Sequence, residues 1–264
     1  MSIYTWIATT RETHLPRYAV LTRAARTPQR GRIGLFLSGL ILIIAPWLTQ
    51  AQAPYETRAN HDPDGTGKFY MGREIAQVMG PGGIPWLERA SREQEEQPQS
   101  LIAALEIQPG QTVADLGAGS GYFSFRIAPL VGPTGKVLAV DIDPVMLNTL
   151  RQRAQREQVH NLEAVGSTAS NPNLPSASID LLFMVDVYHE LGYPLEMMRA
   201  VHAALKPGGR VALIEYRAED PRVMIKAVHK MTEAQILREM KAAGFIHVKT
   251  IRTLPLQHLV IFRK

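Results

Sequence analysis

From residue 111 onward the hydrophobic and polar positions follow two rhythms in turn. Short apolar runs at 111–116, 136–141, 161–165, 179–186, 210–216, 245–252 and 257–263 read as strands. Stretches with apolar residues three and four apart, at 121–130, 144–158, 194–205 and 232–243, read as amphipathic helices. Strand and helix in repetition predict a mainly parallel sheet covered on both faces. Only TLPL (253–256) separates the last two strands. A parallel crossover needs about a dozen residues or more, so these two strands are expected to form an antiparallel hairpin.

The stretch ahead of this pattern is less regular. Residues 53–60 read as an extended linker. HDPDGTGKFYMGREIA (61–76) reads as turn residues passing into helix, and PGGIPWLERASREQEEQ (81–97) as a break followed by an amphipathic helix with a solvated face from Arg92 to Glu96. PQSLIAALEI (98–107) reads as one more helix, with Pro98 near its start. Residues 54–97 are therefore expected to form a linker and helical cap on a domain spanning 98–264.

Charge and composition sharpen the division. The chain of 264 residues has a formal charge of +5, from 29 basic and 24 acidic side chains. Six arginines and one acid, Glu12, lie within 1–53, so the remainder carries no net charge and gives no electrostatic argument for a nucleic-acid partner. Arg23, Arg26, Arg30 and Arg32 precede the apolar run IGLFLSGLILIIAPWL (33–48), and AQA follows at 51–53. That order is expected of a secretory signal with a long basic region, cut after Ala53, or of a membrane anchor if it stays uncleaved. Export to the periplasm or medium is the corresponding expectation. The chain has no cysteine, which suits export without disulfides and suits the cytosol equally.

The candidate chemistry begins at VADLGAGSGYFS (113–124). A dinucleotide fingerprint would place its third glycine at 122, where this chain has Tyr122. The spacing is instead Asp115, Gly117, Gly119, Gly121. Glycines let a ligand lie against bare backbone. A helix opening near Gly121 would offer N–H groups to a carboxylate, and Asp115 could attract an ammonium. VLAVDIDP (137–144) places Asp141 at the end of the next strand, where a carboxylate can bridge ribose hydroxyls, while Asp143 reads as the cap of the helix starting at Pro144. A nucleoside carrying an amino-acid tail fits these features.

Four segments, VADLGAGSGYFS, VLAVDIDPVML, IDLLFMVDVYHEL and LKPGGRVALIEY, resemble in order and spacing the motifs of class I S-adenosylmethionine (SAM)-dependent methyltransferases. The resemblance covers about residues 98–264. It implies a doubly wound α/β fold with a seven-stranded sheet in the order 3-2-1-4-5-7-6, strand 7 antiparallel. It also implies SAM as cofactor, with contacts from Asp115, Gly117, Ala118, Gly119, Gly121, Asp141, Ile142 and Asp186. An acid often follows the third strand in the family; here VGSTASNPNLP (165–175) offers Ser167, Thr168, Asn171 or backbone instead.

The acceptor side is expected in DVYHEL (186–191). There His189 reads either as a general base or as a hydrogen-bonded wall residue, with Glu190 orienting it and Tyr188 beside them. His189 and Glu190, adjacent in sequence, do not by themselves make a metal site, and no metal is expected. Arg217 and His229, on IEYRAEDPRVMIKAVHKMT (214–232), are further acceptor-binding candidates, with Tyr70 and Trp86 closing over from the cap. The expected activity is methyl transfer to a small molecule. The alternative is an exported protein that binds a nucleoside-like ligand without transferring methyl groups.

Overall fold

The computed structural model describes residues 54–264. The expected leader at 1–53 lies outside the described residues. Among those described, no helix is long and apolar enough to cross a membrane.

Seven strands form the main sheet: β4 (Thr112–Leu116), β5 (Lys136–Asp141), β6 (Leu162–Gly166), β7 (Ile179–Val185), β8 (Leu205–Tyr216), β9 (Ile246–Ile251) and β10 (Gln257–Arg263). Their spatial order is β6-β5-β4-β7-β8-β10-β9. Neighbours from β6 to β8 run parallel, and β10 is antiparallel to both β8 and β9. This is the order that the motifs imply. The β9–β10 hairpin follows from the four-residue connection. β8 starts five residues earlier than its apolar run suggests, because Leu205 pairs with Ile179 before the register shifts to Leu181–Arg210.

Alternation along the central strands builds two cores. Leu181 and Phe183 of β7, Ala212 and Ile214 of β8, and Leu259 and Ile261 of β10 face one layer. Leu182 and Met184, Val211 and Leu213, and Val260 and Phe262 face the other. A strand buried on both sides must be apolar on both faces, as β7 is apart from Asp180 and β10 is over Leu259–Phe262. The first layer is covered by α3 (Pro98–Ala104) and α4 (Ser124–Val131), and the second by α6 (Pro194–Ala204) and α7 (Glu233–Ala242). α5 (Pro144–Glu157) packs Leu147 and Leu150 against β5, and Asp143 caps it by accepting from the Val145 and Met146 amides, as expected.

The region before α3 departs from the expected helical cap. Residues 61–76 are not helical. β2 (Gly65–Tyr70) and β3 (Arg73–Ala76) form an antiparallel hairpin, and β1 (Tyr55–Thr57), within the expected linker, pairs with β2. Met71 and Gly72 both have positive φ, 49° and 88°, the left-handed pair that closes a two-residue hairpin with the twist of its strands. Residues 81–97 are not one helix but a 3-10 turn at Pro81–Gly83 followed by α1 (Ile84–Leu87) and α2 (Arg92–Glu95). Arg92 and Glu96, expected on a solvated face, are buried and paired at 2.9 Å. Tyr70, an acceptor-binding candidate, is likewise buried and packs on Tyr55 away from the cavity described below.

The hairpin is anchored by a buried ion pair. Arg73 reaches Glu239 of α7 at 2.9 Å and also donates to the carbonyl of His189 at 3.1 Å. Glu239 is fully buried. Glu239→Gln leaves the guanidinium uncompensated and is expected to cost about 3–5 kcal/mol in urea unfolding. The double change Arg73→Met, Glu239→Leu is expected to recover most of that loss.

Candidate active site

A cavity of about 600 Å³ opens where β4, β5, β7 and β8 end. These are the carboxyl ends of the parallel strands, beside the point where strand order reverses, the usual ligand crevice of such a sheet. Its floor includes Leu116, Gly117, Gly119, Asp141, Asp186 and Tyr216. Its walls are mostly apolar, drawn from the β3 end (Ile75, Ala76, Val78, Met79), from α1 (Trp86, Leu87) and from the segment after β8 (Met224, Ile225). The N-terminal region thus does cap the crevice, through a hairpin and short helices.

The glycine turn is built for close approach. Gly117 has φ 78°, and a Cβ there would lie 2.5 Å from Val187. The Gly117 and Ala118 amides donate to Val140 O, Gly119 N–H donates to the Asp141 carboxylate at 2.8 Å, and Gly121 N–H donates to Ala118 O. These four amides are therefore committed within the protein, and α4 starts only at Ser124. The expected carboxylate cradle at Gly121 is not formed by them. Gly121 and Ala118 do not line the cavity, and Gly121 faces Leu150 and Phe125.

Asp115 also lies beneath the turn, outside the cavity lining. Its carboxylate accepts from Ser124 Oγ at 2.6 Å, and burial pushes its pKa up to about 7. It braces the turn and does not face the cavity. Asp141 does line the cavity. Its two oxygens accept from Gly119 and Asp143 amides and retain free lone pairs for ribose hydroxyls. Ile142, Ser167 and Thr168 line the same end.

Two further groups suit an amino-acid tail. Asp186 bends the chain after β7 with φ 54°, and one of its carboxylate oxygens is buried without a hydrogen-bond partner. Burial, then the neighbouring Glu96 and Glu215 charges, hold its pKa well above the usual carboxylate range. Such a group invites a cation. Arg92 lines the cavity nearby, with its guanidinium held by Glu96 and Leu87 O. An orphaned acid and a buried guanidinium fit the ammonium and carboxylate of SAM, so the residues present suit this cofactor. Arg92 was hidden in sequence by the charged run around it.

The opposite end is polar. After β7 a 3-10 turn, Tyr188–Glu190, brings His189 and Glu190 to the cavity. Glu215, fully buried at the end of β8, accepts from Tyr188 N–H at 2.8 Å and lies 2.6 Å from His189 Nδ1. That bond puts the His189 proton on Nδ1 and leaves the Nε2 lone pair facing His229. His229, from a 3-10 turn at Ala227–His229, places Nδ1 3.1 Å from His189 Nε2. Burial, then His189, lower the His229 pKa, whereas burial pushes Glu190 up to about 7.

Besides Tyr70, two acceptor-side candidates fall outside the cavity lining. Tyr188 is buried in the core, with its hydroxyl turned to Glu239. Arg217 donates to the carbonyls of Leu254, Pro255 and Gln257, stapling the β9–β10 connection. Neither lines the cavity. Trp86 does, half exposed, with Arg89 stacked on it at 3.6 Å.

Strand order, glycine turn and Asp141 define a class I SAM-dependent methyltransferase, and the chain belongs to this family: a methyltransferase-domain family model matches residues 107–251. A SAM-dependent methyltransferase from Aquifex aeolicus shares the fold with a TM-score of 0.66 at 24% identity, over 70% of this chain and 99% of that one. The [4+2]-cyclase SpnF also shares it, with a TM-score of 0.55 at 15% identity, over 64% of this chain and 80% of that one. Among curated proteins, the ubiquinone/menaquinone biosynthesis C-methyltransferase UbiE of Coxiella burnetii is 28% identical over 137 residues, 52% of this chain and 54% of that protein. The UbiE of Pseudoalteromonas translucida is 30% identical over 135 residues, 49% and 52% respectively. The chain spans about half the length of the curated relatives it matches.

Asp141→Asn keeps the shape and removes the charge. SAM affinity measured by calorimetry is expected to fall about tenfold to a hundredfold, the worth of charge-assisted hydrogen bonds. Asp115→Asn is expected to alter the pH dependence of stability. The Asp115 pKa is raised in the folded state, so the wild type is stabilised below pH about 4 and loses that contribution as pH rises towards about 7. Chemical denaturation from pH 4 to 8 should show the variant without this loss.

Proposed function

We propose that this protein transfers the methyl group of SAM to a small, largely apolar acceptor bearing an ionisable group, which docks against His189, Glu190 and His229. The observation that carries the reading is the two-ended cavity. One end holds Asp141, Asp186 and Arg92, the other holds the histidine pair, and apolar side chains line the walls between. About 600 Å³ falls within the ~300–1,000 Å³ typical of small-molecule sites. When bound, SAM supplies a methyl group already activated on a sulfonium. The protein's tasks are to align the acceptor, exclude water and deal with the acceptor's proton.

The residues suit those tasks. Ile75, Val78, Met79, Met224 and Ile225 offer an apolar face to an acceptor ring or chain. His189, oriented by Glu215, and His229, in contact with its Nε2, offer a pair of imidazoles at the acceptor's polar end. The curated relatives are named for carbon methylation in quinone biosynthesis. An apolar ring with an ionisable hydroxyl suits the present cavity on the same chemical grounds. SpnF shows that this fold also hosts other reactions, so the test must be of product.

The full chain incubated with labelled SAM and hydroxylated apolar metabolites is expected to give S-adenosylhomocysteine and a product heavier by one methylene. His189→Ala is expected to lower turnover by ~100-fold or more while changing SAM affinity little, as for loss of a proton-handling group. Equal turnover in the variant would remove His189 from the reaction.

A further inference from the structure

We propose that His189, Glu190 and His229 form a binding site for a divalent first-row transition-metal ion, which receives an oxygen atom of the acceptor. The inference deepens the reading above, on which its acceptor chemistry rests. The fold brings together three ligand atoms from two segments separated by 40 residues. His189 Nε2 and His229 Nδ1 lie 3.1 Å apart, and Glu190 Oε1 lies 3.9 Å from the first and 3.8 Å from the second. A point equidistant from the corners of that triangle is about 2.1 Å from each, the length of a metal–imidazole or metal–carboxylate bond.

The surroundings agree with the triangle. Glu190 Oε1 faces two imidazole nitrogens at distances too long for direct hydrogen bonds. A cation between them satisfies all three. The Glu215 carboxylate already sits on Nδ1 of His189, the outer partner that fixes the tautomer of a metal-bound histidine and leaves Nε2 to the ion. Two imidazoles and one carboxylate favour iron(II), cobalt(II) or zinc over magnesium or calcium, which prefer all-oxygen sets.

Three protein ligands leave coordination positions for substrate. All three residues line the cavity, so those positions face the acceptor. The acceptor class is then an apolar molecule with a hydroxyl, or a neighbouring pair of oxygens, able to bind the ion. A hydroxyl so bound gives up its proton to water and keeps its electron pair on oxygen. His189 then handles the acceptor's proton by holding the ion that acidifies the bound hydroxyl.

The test uses the full chain stripped with a chelator and titrated with cobalt(II) and with zinc. One equivalent per chain, with a cobalt visible absorption band that zinc abolishes, is the expected result. His229→Ala and Glu190→Gln should abolish stoichiometric binding while circular dichroism and SAM affinity are retained. Glu215→Gln should weaken binding by ~10–100-fold. No stoichiometric binding by the wild type, or undiminished binding by both ligand variants, would overturn the site. Methyl transfer at full rate by the stripped protein would overturn the ion's part in the reaction and leave the proposed function intact. Metal binding without product from any hydroxylated acceptor would count against the proposed function instead.

Discussion

The carboxylate of Glu215 holds the working end of this molecule together. It is fully buried at the end of a central strand, where an unpaired charge would be costly. Its two oxygens are matched by the Tyr188 amide and the His189 ring. The first bond fixes the turn leaving β7, and the second fixes the imbalance of the imidazole between donor and acceptor. Arg73 then ties the carbonyl of the same histidine to the hairpin and to α7. Backbone, ring orientation and the N-terminal region thus converge on one acid that never reaches solvent.

The cavity between this corner and the glycine turn divides its electrostatics by region. Asp186, Glu96 and Glu215 crowd one side of the sheet's end, relieved by Arg92. Burial and mutual repulsion leave Asp186 short of a partner, while Asp141 is supported by two backbone amides. One acid is thereby poised for a cation and the other for neutral hydroxyls. The apolar walls between them strengthen both interactions by excluding water.

Much of the frame was legible because its signals are local. A short, nearly continuous apolar run such as 179–186 suits a central strand, and the four-residue link before β10 forces the antiparallel pairing. The hairpin at 65–76 was missed because its evidence is a single Met71–Gly72 turn inside a segment whose charges also suit a helix. The presence of Asp141 in the cavity wall follows from its place at a strand end. Asp115, Gly121 and Arg217 fall outside the cavity; sequence gives their position but not the direction of the side chain or amide. Arg92 and Glu96 looked like a solvated face, since mutual pairing in the interior leaves no trace in composition. The meeting of His229 with His189 depends on the path of residues 217–229 over the sheet, a tertiary fact with no periodic signature.

The way in and out of the cavity follows from how its walls are fastened. Arg73–Glu239 and Arg92–Glu96 secure the lower parts from within, whereas Lys226 on the outer wall meets Asp64 beside the hairpin in an exposed pair at 2.6 Å. Exposed pairs contribute at most about 1 kcal/mol. The hairpin and the segment carrying His229 are therefore fastened firmly at the base and only weakly by charge at the rim. Salt weakens the outer pair while leaving the buried ones nearly untouched, so ionic strength acts on the rim of the cavity before its base.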